Sequence, residues 1–234
     1  MKSHSILDDI TSAGRNLFSK ENSDAPLRSI YSDSDRSVIS DSSNLLVRQP
    51  TQPLVIQQDF ISWIEQYNGP KFSFIHCDFP QEKTIFFRLL HSLQKYSSKI
   101  ASESSHLMLW FDMEHYAVTK ALLNSAGFSV SPYPFMWAKA RKYRQVSIKH
   151  PRYSYETAFL ATRGERALVR QKTDHYRSPA IQSNLKPEPM LSHFFSMLID
   201  ETTDFFDPTA DSGAATLAAR NCGARSILGL ETPQ

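Results

Sequence analysis

The stretch 204–231, DFFDPTADSGAATLAARNCGARSILGLE, decides the fold. A short apolar run ends at the acid Asp207. A tight turn containing Pro208 and Gly213 follows, then a helix of small residues, a stop at Gly223, and a strand that ends in Glu231. Two strands joined by a helical crossover pair in parallel. Glu231 lies about 24 residues after Asp207, the spacing at which a Rossmann-type fold places the acid that accepts ribose hydroxyls. Gly213, Ala214 and Ala215 are small enough to let the backbone approach a ligand closely. The pattern GxGxxG is missing, so a dinucleotide pyrophosphate is not the favoured ligand. An ordinary strand-helix-strand turn accounts for the same residues, and spacing alone leaves both readings open.

Further strands and helices alternate upstream. LVI (54–56) is a strand ending near Asp59, and FISWIEQY has helical apolar spacing until Asn68-Gly69-Pro70 breaks it. KFSFIH is the next strand. TIFFRLLHSLQKYSSKI sets Ile85, Phe86, Leu89, Leu90, Leu93 and Tyr96 on one helical face. HLMLWF (106–111) is apolar throughout. EHYAVTKALLNSAG is a helix closed by Gly127. PFMWA and YETAFLA are strands, and MLSHFFSMLIDE is an amphipathic helix. Seven strands alternating with helices imply an α/β fold: a Rossmann-like, mostly parallel sheet with helices on both faces.

Composition bounds the rest. The chain has 234 residues, enough for one domain and a tail, and its 12% aromatic content supports a core. Residues 1–50 are rich in Ser and Asp without periodicity, so they are expected to form a mostly disordered tail, with one short helix near Ile10 to Phe18. Residues 51–234 form the domain. The net charge of +2 decides nothing by itself. Cys77 and Cys222 are no disulfide framework, no Cys/His spacing suits a metal, and neither a signal peptide nor an apolar membrane span is evident. A cytoplasmic setting is expected.

Four segments together carry a resemblance. DPTADSGAATLAA…GARSILGLE resembles the DPFxGSGT cofactor motif of S-adenosylmethionine-dependent DNA amino-methyltransferases. IHCDFP resembles their DPPY catalytic motif, SNLKPEPMLSHFFSMLIDE their KPxxL segment, and LVIQQDF the strand whose terminal acid meets the cofactor's adenine. The order, with the catalytic half first, is that of the permuted beta-type members, and the likeness covers about residues 54–231. It looks nearest to phage or plasmid DNA methylases of bacteria. The resemblance implies S-adenosylmethionine as cofactor and double-stranded DNA as partner in a bacterial or phage-infected cell. The implied reaction is methylation of an exocyclic base amine, adenine N6 ahead of cytosine N4. It also implies cofactor contacts at Asp59 and Phe60, at Lys186 and Pro187, at Asp207, Pro208, Thr209, Ala210, Asp211, Ser212 and Gly213, and at Glu231.

The Asp-Phe-Pro segment suits that chemistry. A base amine is a poor nucleophile because its lone pair is conjugated into the ring. A carboxylate and a neighbouring carbonyl, each accepting one N–H, draw the nitrogen towards a tetrahedral shape and aim its lone pair. The resemblance assigns these parts to Asp78 and the carbonyl of Phe79, with Pro80 fixing the turn. His76 and Cys77 read as strand residues. Two positions depart from the family. Gln81 replaces the aromatic on which a flipped base stacks. Asp211 replaces a glycine, where a carboxylate about 4 Å from the cofactor's own would repel it by about 4 kcal/mol at an effective dielectric of 20, unless it points to solvent. The alternative to an active enzyme is therefore a catalytically silent member that binds DNA or a protein. The most basic stretch, AKARKYRQVSIKHPRYSYE, offers Lys139, Arg141, Lys142, Arg144, Lys149 and Arg152 for DNA phosphates. A solvated hairpin tip would look the same.

Overall fold

The computed structural model describes residues 52–140, 154–178 and 185–233, all within one compact unit, Val47–Gln234. The tail 1–50, with its expected short helix, lies outside the described residues.

Strand β1 (Leu54–Gln57) leads to helix α1 (Phe60–Gln66), and β2 (Phe72–Cys77) to α2 (Lys83–Ile100). Then come β3 (Ala101–Phe111), a 3-10 turn (Met113–His115), α3 (Tyr116–Ser125), β4 (Ser129–Val130), β5 (Phe135–Lys139), β6 (Tyr155–Arg163) and β7 (His175–Ser178). The chain closes with α4 (Glu188–Phe195), β8 (Asp204–Asp207), α5 (Ala214–Asn221) and β9 (Ser226–Glu231). The strands lie in the order β1-β9-β8-β2-β3-β6-β5-β7, with β4 also on β6. Strand β6 runs antiparallel to β3, β4 and β5, and the other pairs are parallel. The sheet is thus mostly parallel, with nine strands instead of the expected seven. The additional strands are β4, two residues long, and β7, the polar HYRS. Neither has an apolar run to announce it. The β7 strand is anchored through Ser178, whose hydroxyl accepts the indole N–H of buried Trp137 at 2.6 Å.

Helices cover both faces. Trp63, Ile64, Leu90, Leu93 and Leu123 from α1–α3 pack on Ile75, Leu107, Leu109 and Phe159. On the other face Leu191, Phe194 and Phe195 of α4 and Ala218 of α5 pack on Phe74, Met108, Trp110 and Phe205. A register irregularity between Phe72 and Phe74 resets the alternation of β2. Phe72, Ile75 and Cys77 therefore join the first layer and Phe74 the second. Beyond β2 the chain enters a helix on one face, and beyond β8, its neighbour, a helix on the other. Diverging connections open a crevice at the carboxyl ends of such strands, where ligands bind in open α/β sheets. Among the described residues no helix is long and apolar enough to cross a membrane.

Candidate active site

The turn after β8 is built around its first residue. Asp207 is 1% exposed. Its Oδ1 accepts the backbone N–H of Thr209 at 2.8 Å and the Thr209 hydroxyl at 3.2 Å. Pro208 and Ala210 are buried, and Ala210 N–H donates to the Leu230 carbonyl at 2.8 Å, holding the turn against β9. Gly213 caps α5 in a left-handed conformation, φ 72°, that disfavours a residue with a Cβ. The left-handed glycine of the turn is thus 213; Asp211 and Ser212 are exposed and border the cleft.

A relay of hydrogen bonds joins this turn to the end of β2. Trp110 Nε1–H, a donor only, meets His76 Nε2 at 3.0 Å, so that nitrogen must accept. The proton therefore sits on Nδ1, which donates to Asp207 Oδ2 at 3.0 Å. From Thr209 the chain continues to Asp78, whose backbone N–H donates to the Thr209 hydroxyl at 3.2 Å. A buried indole thereby sets the tautomer of an imidazole, which orients the first acid of the turn. The sequence reads His76 as a strand residue and gives Trp110 no role in the site, because both act through register and burial. The available signal was that a buried Trp N–H needs an acceptor.

Lys186 Nζ lies 2.6 Å from Asp78 Oδ1 and 3.2 Å from Glu156 Oε2, and 4.6 Å above the Trp110 ring. Burial alone would push this lysine down; the carboxylates of Asp78 and Glu156 outweigh it and hold it above its ordinary range. Burial likewise works against ionised Glu156, but Lys186 and Lys139 hold it below the usual carboxylate range. Pro187 is at the N-cap of α4, its carbonyl receiving Met190 and Leu191 N–H.

The Phe79 ring is 1% exposed and packs on Phe60 and Phe86. Its carbonyl accepts Gln81 Nε2–H at 2.9 Å. Pro80 borders the cleft. Glu82 caps α2 by accepting Thr84 and Ile85 N–H, each at 2.9 Å, so the helix begins directly after Glu82.

The remaining expected residues are dispersed. Asp59 caps α1 through Ser62 N–H at 3.0 Å, and Glu231 accepts Gln57 Nε2–H at 3.4 Å. Both stand at the carboxyl ends of adjacent strands β1 and β9. Phe60 is 2% exposed and packs against Phe79 and Phe206, so its ring belongs to the core instead of a ligand surface. Lys139, at the end of β5, pairs with Glu156 and lies 4.3 Å over the Trp137 ring. Arg141, Lys142, Arg144, Lys149 and Arg152 lie outside the described residues.

Asp78, Pro80, Lys186, Asp207, Thr209 and Asp211 line one cleft of about 300 Å³. Its wall also includes Leu191, Ala214 and Leu230. Such a lining offers one cation, carboxylates and apolar surface, which suits a zwitterionic ligand with an apolar body. Among the described residues no group of His, Cys, Asp or Glu could hold a metal ion.

No family model and no curated protein matches the chain. Solved structures do. The M1.HpyAVI–SAM complex aligns with a TM-score of 0.65 at 17% identity, covering 78% of this chain and 94% of that one. M1.HpyAVI alone gives 0.63 at 21% identity over 78% and 93%. PvuII DNA methyltransferase, described as cytosine-N4-specific, gives 0.62 at 13% identity over 79% and 83%. The described chain has the fold of these DNA methyltransferases.

Proposed function

We propose that this chain is a DNA methyltransferase of the cytoplasm of a bacterial or phage-infected cell. It acts on an exocyclic base amine of double-stranded DNA, adenine N6 ahead of cytosine N4, with S-adenosylmethionine as cofactor. One observation supports the reading: the bonds from His76 through Asp207 and Thr209 to the backbone of Asp78 bring Asp78 and the 207–213 turn to the same cleft.

The residues present fit the cofactor. Lys186 and the 207–213 turn suit its amino-acid end, Leu191, Ala214 and Leu230 its apolar parts, the carboxylate of Asp59 its base and that of Glu231 its ribose hydroxyls. When bound, S-adenosylmethionine supplies an electrophilic methyl group on sulfur. The chain's own work is to prepare the amine. Asp78 Oδ1 is held by Lys186, while Oδ2 has no donor among the described residues and takes one N–H. The Phe79 carbonyl takes the other, and Asp78 receives the proton the nitrogen releases.

Methyl transfer from tritium-labelled S-adenosylmethionine to mixed-sequence DNA tests this. Asp78→Ala is expected to lower the rate by about a hundredfold or more, the scale of losing one such polar contact in a catalytic site. No incorporation by the wild type, or equal rates in the two forms, sinks the reading. A second reading, a silent member that binds DNA or a protein, draws on Asp211, which borders the cleft where the family has glycine. Calorimetry separates the two, because the silent form neither binds nor consumes the cofactor.

A further inference from the structure

The hydrogen bond from Gln81 to the Phe79 carbonyl is not required by the fold. Glu82 alone caps α2, and Gln81 is an exposed residue that directly follows Pro80, which lines the cleft. Its carboxamide is a planar C–NH₂ group with a conjugated nitrogen lone pair, the same chemistry as a base amine. It donates, at 2.9 Å, to the acceptor assigned above to that amine. The other acceptor, Asp78, is also engaged from within the chain, by Lys186 at 2.6 Å.

The two internal donors differ in how firmly they are held. The Lys186 side chain is 10% exposed, bridges Asp78 and Glu156, and rests on Trp110. Gln81 makes one neutral bond from an exposed position. We propose that Gln81 is a positioning residue of the amine subsite. In the resting chain its carboxamide stands in for the amine on the Phe79 carbonyl, and an incoming base amine takes over that carbonyl as Gln81 turns out. This rests on the methyl-transfer reading and adds a step to it: Lys186 remains in place while Gln81 exchanges with the base. A single neutral hydrogen bond in the filled state lowers the apparent affinity for the base by about fivefold.

Gln81→Met keeps the side-chain length and removes the donor. Two probes are used with the full chain: a duplex with one mismatched adenine, and the same duplex with purine there, which lacks the amine. Gln81→Met is expected to bind the adenine duplex about fivefold more tightly and the purine duplex unchanged. In the free wild-type chain, the Gln81 carboxamide protons, identified as the resonances lost in Gln81→Met, should exchange more slowly than those of other glutamines. Adding the adenine duplex should restore fast exchange. Fast exchange in the free chain overturns the proposal, as does adenine binding that is unchanged or weakened in Gln81→Met. If neither form binds either duplex while the carboxamide stays protected, the methyl-transfer reading fails and displacement by a base fails with it. Only the Gln81–Phe79 pairing would then survive.

Discussion

His76 and His106 project from the adjacent strands β2 and β3, and both are buried, at 2% and 1% exposure. His76 uses both ring nitrogens, one receiving Trp110 and the other donating to Asp207. His106 donates Nε2–H to the Arg166 carbonyl at 3.0 Å and leaves Nδ1 without a partner among the described residues. Burial, and then the Arg166 charge, drive His106 down to about 4. The surroundings differ as much. His76 lies at the carboxyl end of β8, where Asp207 and Thr209 complete its network; Arg166, beside His106, reaches Thr203 at the amino end of that strand. The same side chain in the same depth of protein is a construction element where both nitrogens are fixed. Where only one is fixed, it leaves a buried polar atom unpaired.

The largest effect expected from breaking this contrast is at Asp207. Asp207→Ala orphans the buried His76 Nδ1–H and the half-buried Thr209 N–H, at about 1–3 kcal/mol each, so a loss of about 4 kcal/mol in urea unfolding at pH 7 is expected. Asp207→Asn keeps an acceptor oxygen and should lose about half as much. Equal losses in the two variants would show that the retained oxygen and volume count for nothing and that the ionised carboxylate itself matters at this end of the sheet.

Acid titration probes the other end. The folded-state pKa of His106 is depressed, so between its ordinary value near 6.5 and about 4 the unfolded chain binds the additional proton. Its contribution is intact above pH 6.5 and falls as pH drops towards 4, by about 3 kcal/mol at 1.36 kcal/mol per unit. His106→Leu cannot take the proton, so its stability curve should be flatter by that amount across this window. A curve parallel to the wild type would assign the acid loss to other groups.

The contrast also explains what could be read in the sequence. The β8–α5–β9 unit is legible because Pro208, Gly213, Gly223 and the alanine run punctuate it locally, and β2 and β3 because their apolar runs are long. Strands β4 and β7 are invisible, since two residues and the polar HYRS form strands only when β6 and Trp137 supply partners. In the site, Asp78 and the 207–213 turn stand out as motifs. The partners that orient them are set by register and crossover: His76 and Asp207 are 131 residues apart, and Lys186 and Asp78 are 108 apart. The family resemblance implies a cofactor contact at Phe60, next to Asp59. Asp59 is the cap, and the first helical residue points about 100° away from it, into the core.

The smallest expected effect concerns packing beneath the turn. Gly229 on β9 leaves room for Ala210: a Cβ at 229 would stand 2.7 Å from Ala210 Cβ and 3.1 Å from Thr216 Cγ2. Neither neighbour has a flexible end to move, so Gly229→Ala must shift the turn itself. Overpacking of this kind costs about 1–3 kcal/mol, less than emptying Asp207. The displaced atoms belong to a residue on the cleft, whose N–H is tied to Leu230 beside the substitution. On the proposed methyl-transfer reading the loss should therefore appear in S-adenosylmethionine affinity as well as in stability, whereas His106→Leu should change stability alone. Calorimetric titration of both variants at pH 7 checks this. Unchanged cofactor affinity in a folded Gly229→Ala protein would mean that the turn absorbs the strain away from the cleft. It would also confine the sensitivity of this end of the sheet to the polar relay.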